Sequence, residues 1–204
     1  MSLLKSKSNK YSRVLSTSLY LAIIWLLFLF IPFPLGAKSI RLEINSAFFY
    51  PSEKAFREIY GQGLKYGLDL SLSFWKKLEF HLESNYFVKK GKLTFSKEDT
   101  KLKLVPLSLN VRWLFLQRRL NLYGGGGLTY IFFEEKNPLG KVKANKIGPM
   151  AKIGCFTRLK GWGKLFKTFV INAYLSYHYC PMQPAQIKFD AGGIDFGLGL
   201  GFEF

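Results

Sequence analysis

The most constraining feature of the sequence is a strict alternation of side-chain type over its last eleven residues, 194–204. Every second position is apolar: Ile194, Phe196, Leu198, Leu200, Phe202 and Phe204. The positions between them hold Asp195, Gly197, Gly199, Gly201 and Glu203. Successive side chains of a β-strand point to opposite faces, so this pattern predicts a strand with one apolar and one polar face. A strand of a soluble domain usually has about five or six residues, whereas a tilted strand needs about ten to cross a bilayer.

The same alternation recurs along most of the chain. It is clear in residues 64–74, 78–88, 105–115 and 169–179, and weaker in 40–50, 120–133 and 146–157. With 194–204 this makes eight segments, an even number. After Lys38 no apolar stretch is long enough for a membrane-spanning helix, so any later insertion would use strands. The sequence therefore predicts an all-β fold, an eight-stranded antiparallel up-and-down transmembrane barrel.

The connections between these segments alternate between short and long. Short joins lie near residues 75–77, 117–118 and 160–163, and longer polar joins at 51–62, 89–101, 134–145 and 180–191. Small barrels of bacterial outer membranes have short periplasmic turns and longer outer loops. Starting the first strand at the periplasm assigns every short join to that side, which predicts that both ends of the barrel chain face the periplasm.

The first 37 residues differ from the rest in composition. Basic residues between Lys5 and Arg13 precede an apolar run at 19–31, and Pro32 and Pro34 then interrupt it before Gly36-Ala37. This order is typical of a secretory signal peptide, while an uncleaved anchor is the alternative. We expect a signal peptide at 1–37, a barrel domain at 38–204, and export to the cell outer membrane.

Charged residues fall on the predicted polar faces as well as in the joins. The inward positions are Arg41, Glu43, Lys65, Asp69, Glu79, His81, Glu83, Arg112, Lys152, Asp195 and Glu203. The interior of an eight-stranded barrel is just wide enough for side chains to fill it, and buried charges have to be paired. We interpret the set as a structural ion-pair network that plugs the lumen. Arg41 and Glu203 are the expected pair, because the first and last strands must meet.

The chain as a whole is strongly basic, with a formal net charge of +17. Lysines are dense in the predicted outer joins, among them Lys89, Lys90, Lys92, Lys136, Lys141 and Lys143. They could contact phosphates of outer-membrane lipids and lipopolysaccharide, and a solvated loop surface explains them equally well. Nucleic acid is a poor explanation for an exported chain without a matching motif.

Residues suited to catalysis or metal binding do not form a recognisable motif. His81 and His178 are the only histidines; Ser84 falls on the opposite face from His81, and Ser176 is two residues from His178. Both histidines are expected to be hydrogen-bonded lumen groups rather than catalysts. Cys155 should lie opposite a residue near 168, too far from Cys180 for a disulfide. The spacing predicts no metal, no cofactor and no enzymatic activity.

Three segments carry a resemblance to a known family. PLSLNVRW at 106–113, NLYGGGGLTY at 121–130 and the terminal FGLGLGFEF at 196–204 are similar to the small eight-stranded barrels of the outer-membrane protein β-barrel domain family. The resemblance implies that Phe204 is the signal read by the barrel-assembly machinery. It also implies a surface or structural role, and shorter outer loops than in adhesive members disfavour an adhesin.

The expected function is that of an integral outer-membrane barrel with a plugged lumen and a structural or surface-interaction role, and the chain is expected to be a monomer. The alternative is a barrel that binds or passes a small hydrophobic ligand, which an apolar pocket at the outer end would favour. A lipid A-modifying enzyme is a weaker third interpretation, because it would need His178 and a nucleophile to meet near the outer leaflet.

Overall fold

The computed structural model describes residues 37–92, 98–138, 140–160, 168–183 and 188–204. The predicted signal peptide at 1–37 lies almost entirely outside these ranges, so it stays a prediction. In the part of the chain that is described, no helix has the length and apolar character needed to span a bilayer.

The long alternating segments fold into eight strands that close into one antiparallel barrel, in the order β1-β10-β7-β6-β5-β4-β3-β2. This confirms the predicted all-β fold and the closed, eight-stranded antiparallel barrel. The barrel strands are β1 (Ser39–Pro51), β2 (Gly63–Ser73), β3 (Leu78–Lys92), β4 (Asp99–Gln117), β5 (Leu120–Asn137), β6 (Gly140–Lys160), β7 (Thr168–His178) and β10 (Gly193–Glu203). Short elements join them at one end: the helix α1 (Lys54–Tyr60), and β8 (Pro181–Met182) paired with β9 (Phe189–Asp190).

The barrel closes where the first strand meets the last. Strand β1 pairs with β10 from Arg41↔Glu203 to Pro51↔Gly193, and its other edge pairs with β2. Because β1 starts and β10 finishes at the same rim, we call that rim the terminal end. The opposite rim, which carries α1, β8 and β9, is the loop end.

Several joins that the sequence predicts as loops are extended strand. Strand β3 continues to Lys92, and β5 and β6 form one long hairpin in which Lys136 pairs with Lys141. The predicted loop at 51–62 contains α1, which ends at Gly61 with a φ of 67°. The predicted pairing between β6 and β7 is also wrong, because it assumed a tight turn near 161–163. Pairing starts at Lys160↔Thr168, so Cys155 lies opposite Ala173.

The polarity of the sheet reverses along its strands, and β4 shows the reversal most clearly. In its central part the inward side chains of Ser108, Asn110 and Arg112 are buried and polar, while the outward side chains of Leu109 and Trp113 are exposed and apolar. Towards the loop end the inward positions become apolar (Leu102, Leu104) and the outward ones basic (Lys101, Lys103). Strands β3 and β5 change at the same level, with Phe87, Ile131 and Phe133 buried inside.

The loop end is closed by a dry apolar cluster. Its inward-facing members come from the barrel strands, and α1 adds Phe56 and Tyr60 from above; the cluster also holds Phe49, Phe87, Leu102, Leu104, Ile131, Phe133, Cys180, Met182 and Ala191. Phe49 meets Phe87 edge to face at 5.3 Å between ring centroids. The Tyr60 hydroxyl lies 3.0 Å from Thr100 Oγ1, and burial raises the pKa of Tyr60. The cluster therefore forms a packed lid over the barrel.

Candidate functional site in the barrel lumen

The centre of the barrel is filled with charged side chains. Ten of the eleven predicted inward residues are buried, each exposing 2% or less of its surface: Arg41, Glu43, Lys65, Asp69, Glu79, His81, Glu83, Arg112, Lys152 and Asp195. The eleventh, Glu203, lies at the terminal rim, and its side chain is 15% exposed. Alternation brings these groups to one side of the sheet, and closure brings that side together from all the strands.

Arg41 organises the cluster nearest the terminal end. Its Nε lies 2.6 Å from Glu43 Oε1, and its Nη2 lies 2.8 Å from Glu79 Oε2. The guanidinium also stacks 4.1 Å from the centre of the Phe156 ring. The predicted partner Glu203 is its cross-strand neighbour, but the nearest N–O distance between them is 3.8 Å.

Glu203 has a closer partner in Arg158, whose Nε lies 2.9 Å from Glu203 Oε2. The sequence interpretation did not include Arg158. Its position was readable in principle, since Lys152, Phe156 and Arg158 lie an even number of residues apart on β6 and share its inward parity. It was missed because the strand was expected to finish at residue 157.

Among the ion pairs of the described residues, that of Lys152 joins strands far apart in the barrel. Its Nζ reaches from β6 to Glu83 Oε2 on β3 at 2.6 Å, three strands away in the barrel order. The ammonium also lies 3.7 Å from the centre of the Tyr174 ring, and the other Glu83 oxygen accepts a hydrogen bond from Asn85 Nδ2. Burial of both charges is compatible with folding because each has an opposite charge and polar neighbours.

Lys65 and Asp195 form the cluster nearest the loop end, with Nζ and Oδ1 separated by 2.9 Å. Asp195 Oδ2 lies 3.1 Å from His178 Nε2, and Ser176 Oγ lies 3.3 Å from the same nitrogen. His178 Nδ1 faces Thr129 Oγ1 at 2.9 Å. In a serine hydrolase triad the serine and the carboxylate bind opposite ring nitrogens. Here both share Nε2 and all are buried, so the geometry does not build a triad.

Three buried side chains bring possible metal-ligand atoms together: one such atom from each of Asp69, His81 and Glu83 lies within 4.8 Å of the other two. Two fixed cations occupy the same space, because Lys152 contacts Glu83 at 2.6 Å and Arg112 Nη2 lies 2.5 Å from His81 Nε2. Donor groups face both ring nitrogens of His81, Arg112 Nη2 at Nε2 and Asn110 Nδ2 at Nδ1, 3.0 Å away. The group is a charge-compensated cluster rather than a cation cage, because a divalent ion would meet two positive charges.

Aromatic side chains separate the charged clusters, and the sequence interpretation gave them no role. Arg112 lies 4.5 Å from the centre of the Tyr123 ring, and the Tyr123 hydroxyl donates to Asn172 Oδ1 at 3.0 Å. Tyr174, Phe156, Leu114, Val170 and Ala47 pack with Tyr123 in one buried group. Their faces attract the lysine and arginine cations. The lumen is therefore filled by aromatic rings as well as by ion pairs.

The lysines predicted to contact lipid phosphates lie near the loop end. Lys90, Lys92, Lys136, Lys141 and Lys143 are exposed and face outward, away from the lumen. Lys89 is the exception, because its odd offset along β3 turns it inward, where it is half-buried beside Gly63. The expectation for Lys89 is wrong for that reason. Lys101, another lysine of the predicted outer joins, faces outward opposite Lys90 and Lys136.

Solved structures of small outer-membrane barrels share this architecture. OprG from Pseudomonas aeruginosa has a TM-score of 0.65 and 15% identity, over 83% of this chain and 97% of that chain. The N-terminal β-barrel domain of Pseudomonas aeruginosa OprF has a TM-score of 0.52 and 16% identity, over 83% and 99% of the two chains. Ail of Yersinia pestis, solved with the heparin analogue sucrose octasulfate, has a TM-score of 0.54 and 14% identity, over 81% and 98%.

No known family profile matches the chain, and no curated protein sequence matches it. The identities with the solved structures are low, so the likeness concerns the fold. At that level the resemblance predicted from the sequence is confirmed: the chain folds as a closed eight-stranded barrel of the kind found in small outer-membrane proteins.

Proposed function

We propose that this chain is an integral outer-membrane protein whose lumen is plugged by side chains and which has a structural or surface-interaction role without catalysis. The observation that carries the proposal is the lumen itself: ion pairs such as Lys152–Glu83 cross it, and their members are completely enclosed. A water-filled pore would leave these charges exposed.

The outward face supports the membrane part of the proposal. The central barrel exposes a continuous apolar surface that includes Ile44, Leu68, Leu109, Leu128, Ile153 and Phe196. An apolar surface of this extent is unfavourable in water and favourable against lipid tails. Aromatic residues lie towards both rims of the belt, with Trp75 and Phe115 near the terminal end and Tyr86 and Tyr177 towards the loop end.

The same reasoning orients the barrel. Strands β3 to β6 extend beyond the apolar belt at the loop end, which also carries α1 and the β8–β9 pair, so the terminal end would face the periplasm. Phe204 is exposed at this end, and its backbone N–H donates to Ile40 O at 2.9 Å. It is available as the aromatic signal that the barrel-assembly machinery reads during biogenesis.

Fractionation combined with a heat-modifiability gel tests the location and the folded state together. The chain should appear in the outer-membrane fraction and should migrate differently before and after boiling. Equal mobility in both lanes, or recovery in the soluble fraction, would overturn the membrane assignment.

Conductance across a planar lipid bilayer tests the plug. The folded wild-type protein should give no stepwise ion current, because paired side chains occupy the whole cross-section. The double variant Arg41→Ala, Lys152→Ala removes two large side chains and should admit current if it folds. A steady conductance from the heat-modifiable wild-type protein contradicts a plugged lumen, whatever the variant does.

The proposed absence of catalysis is tested by comparing the lipid A species of cells that make the wild-type protein or the His178→Ala variant. His178→Ala should leave the lipid A species unchanged, because His178 is shared between Asp195 and Ser176 and is enclosed. A change in acylation or phosphate content that depends on His178 would support the enzyme interpretation instead.

A second candidate function is binding or passage of a small hydrophobic ligand, and the apolar cluster at the loop end favours it. The cluster is packed, so α1 would have to move and Phe56 would have to leave its position. A fluorescent apolar probe should then bind with a stoichiometry near one, and Phe56→Ala should strengthen its binding. No saturable binding by either protein would remove this candidate.

A further inference from the structure

We propose that a row of four lysines on the outer wall, Lys90, Lys101, Lys136 and Lys141, binds the phosphate groups of lipid A in the outer leaflet. The proposal rests on the membrane orientation given above and names a partner that this orientation brings within reach. We call these residues the lysine row.

The strand register places the row on four neighbouring strands. Lys90 on β3 pairs with Lys101 on β4, Lys101 with Lys136 on β5, and Lys136 with Lys141 on β6. Residues directly opposite each other share a face, with Cβ atoms about 5 Å apart, and like charges there repel. An uninterrupted line of four ammonium groups is therefore unfavourable for folding unless an anion lies against it.

Only the lysine at one edge of the row is paired with a carboxylate of the chain. Lys141 Nζ lies 2.6 Å from Glu134 Oε1, and no other ion pair joins the row to a carboxylate within the described ranges. The nearby acidic side chain of Glu135 faces the other way, where it accepts a hydrogen bond from Thr100 Oγ1 at 3.1 Å. Three ammonium groups therefore remain available to an external ligand.

A concave surface accompanies these three lysines. A cavity of about 390 Å³ is lined by Lys90, Lys101 and Lys136 together with Asp99, Thr100 and Asn137. A phosphate group fits easily in such a volume. Asp99 contributes one carboxylate to the lining, against the three lysines there, and its cross-strand partner is a further lysine, Lys92. Lysines projecting singly into solvent would not form a shared recess.

The height of the row matches the headgroup region of a membrane. On β5 the outward residues run from Phe132, in the apolar belt, through Glu134 to Lys136. Four residues of strand tilted by about 40° rise by about 10 Å, and a lysine side chain can extend back towards the belt. The ammonium groups thus reach the layer where lipid phosphates lie.

The direction in which the row faces favours a membrane lipid over a soluble polyanion. Its side chains continue the lipid-facing side of β3 to β6 rather than pointing up from the mouth of the barrel. A neighbouring lipid meets this wall laterally, with its acyl chains against the belt and its phosphates at the lysines. A soluble sulphated saccharide would gain only the charge contacts.

The test uses the full folded protein in detergent and measures binding of bisphosphorylated lipid A and of the same lipid without phosphate. The row variant is Lys90→Gln, Lys101→Gln, Lys136→Gln. The matched control, Lys54→Gln, Lys76→Gln, Lys77→Gln, removes the same charge at exposed positions elsewhere. The row variant should lose about 10- to 100-fold in affinity for the phosphorylated lipid, and the control less than about twofold.

Equal affinity of the wild-type protein and the row variant for phosphorylated lipid A overturns the proposal, as does equal binding of both lipids by the wild type. A heparin-like saccharide that binds the row more tightly than lipid A assigns the site to a soluble polyanion and overturns the lipid assignment. Heat modifiability of each variant shows whether it folds. Failure of the fractionation experiment rejects the membrane location itself, whereas a correctly inserted barrel without phosphate preference rejects only this inference.

Discussion

The centre of the barrel and its loop end lie on the same strands, but they place polar and apolar side chains on opposite faces. In the centre, polar groups such as Arg112 face inward and apolar groups such as Leu109 face outward. At the loop end of the same strand, Leu102 faces inward and Lys101 outward. The first arrangement suits lipid outside, and the second suits water outside. In the proposed orientation, the level at which the two exchange would mark where the strands leave the membrane.

The largest expected effect comes from breaking the central arrangement with Arg41→Ala. This variant leaves Glu43 and Glu79 enclosed without their cation, which should lower the free energy of unfolding by about 3–5 kcal/mol. Denaturant unfolding in lipid vesicles, followed by tryptophan fluorescence, measures it. Lys54→Ala is the control, since the Lys54–Glu58 pair is exposed and should contribute under about 1 kcal/mol. Similar stabilities for both variants would contradict an enclosed charge network.

The loop end should respond to loss of apolar volume instead. Leu102 is fully buried in the cluster, so Leu102→Ala should cost about 2–5 kcal/mol. Leu102→Met keeps most of the volume and should cost less than about 1.5 kcal/mol. The same unfolding measurement applies, with limited proteolysis to report loosening at this end. If Leu102→Ala left both readouts unchanged, the loop end would not be a packed core.

A smaller change in stability is expected at the glycine run on β5, residues 124–127, where successive glycines lie on opposite faces of the strand. A Cβ on Gly127 would overlap the backbone oxygen of Leu109, whereas a Cβ on Gly126 would only touch the Met150 oxygen. Gly127→Ala should therefore destabilise the barrel by about 1–3 kcal/mol, and Gly126→Ala by clearly less. Heat-modifiability midpoints of the two variants provide the comparison. The reverse ranking would mean that the strand turns its other face inward.

The smallest expected effect is on the rate at which the thiol of Cys180, under the lid, is alkylated. Burial, with Asp190 nearby, raises the pKa of this thiol to about 11. A raised pKa means that the protonated thiol persists through neutral pH, so alkylation in a Cys155→Ala background should be slow at pH 7. The rate should rise roughly tenfold per pH unit up to about pH 10, since the thiolate is the nucleophile. Rapid alkylation at pH 7 would show that the lid is open.

The reversal of polarity also explains what the sequence could and could not predict. Alternation identified the eight strands and the inward charges, because both depend only on a period of two. It set the limits of β3 and β5 too early, because the residues beyond Val88 and Phe133 have no apolar side chain on either face and look like a polar loop. Lys89 was therefore assigned to a loop.

The partners of the charges were harder to predict than their direction. Parity places Arg41, Glu43 and Glu79 on the same inner surface, but which of them meet depends on the stagger of the strands around the barrel. Arg41 was expected to pair with Glu203, its cross-strand neighbour. The two do form an ion pair at 3.8 Å, but Arg41 contacts Glu43 and Glu79 more closely, because its side chain extends into the lumen while Glu203 stays at the rim beside Arg158.

The seam between β1 and β10 has a consequence for how the chain can be assembled. Strand β1 is made first and its partner β10 last, with 161 residues between Arg41 and Glu203 in the sequence. Until the final strand arrives, two rows of unpaired backbone groups stay open, one on β1 and one on β7. Lipid offers such groups no hydrogen bonds, so insertion has to wait for the last residues or be shielded by another protein.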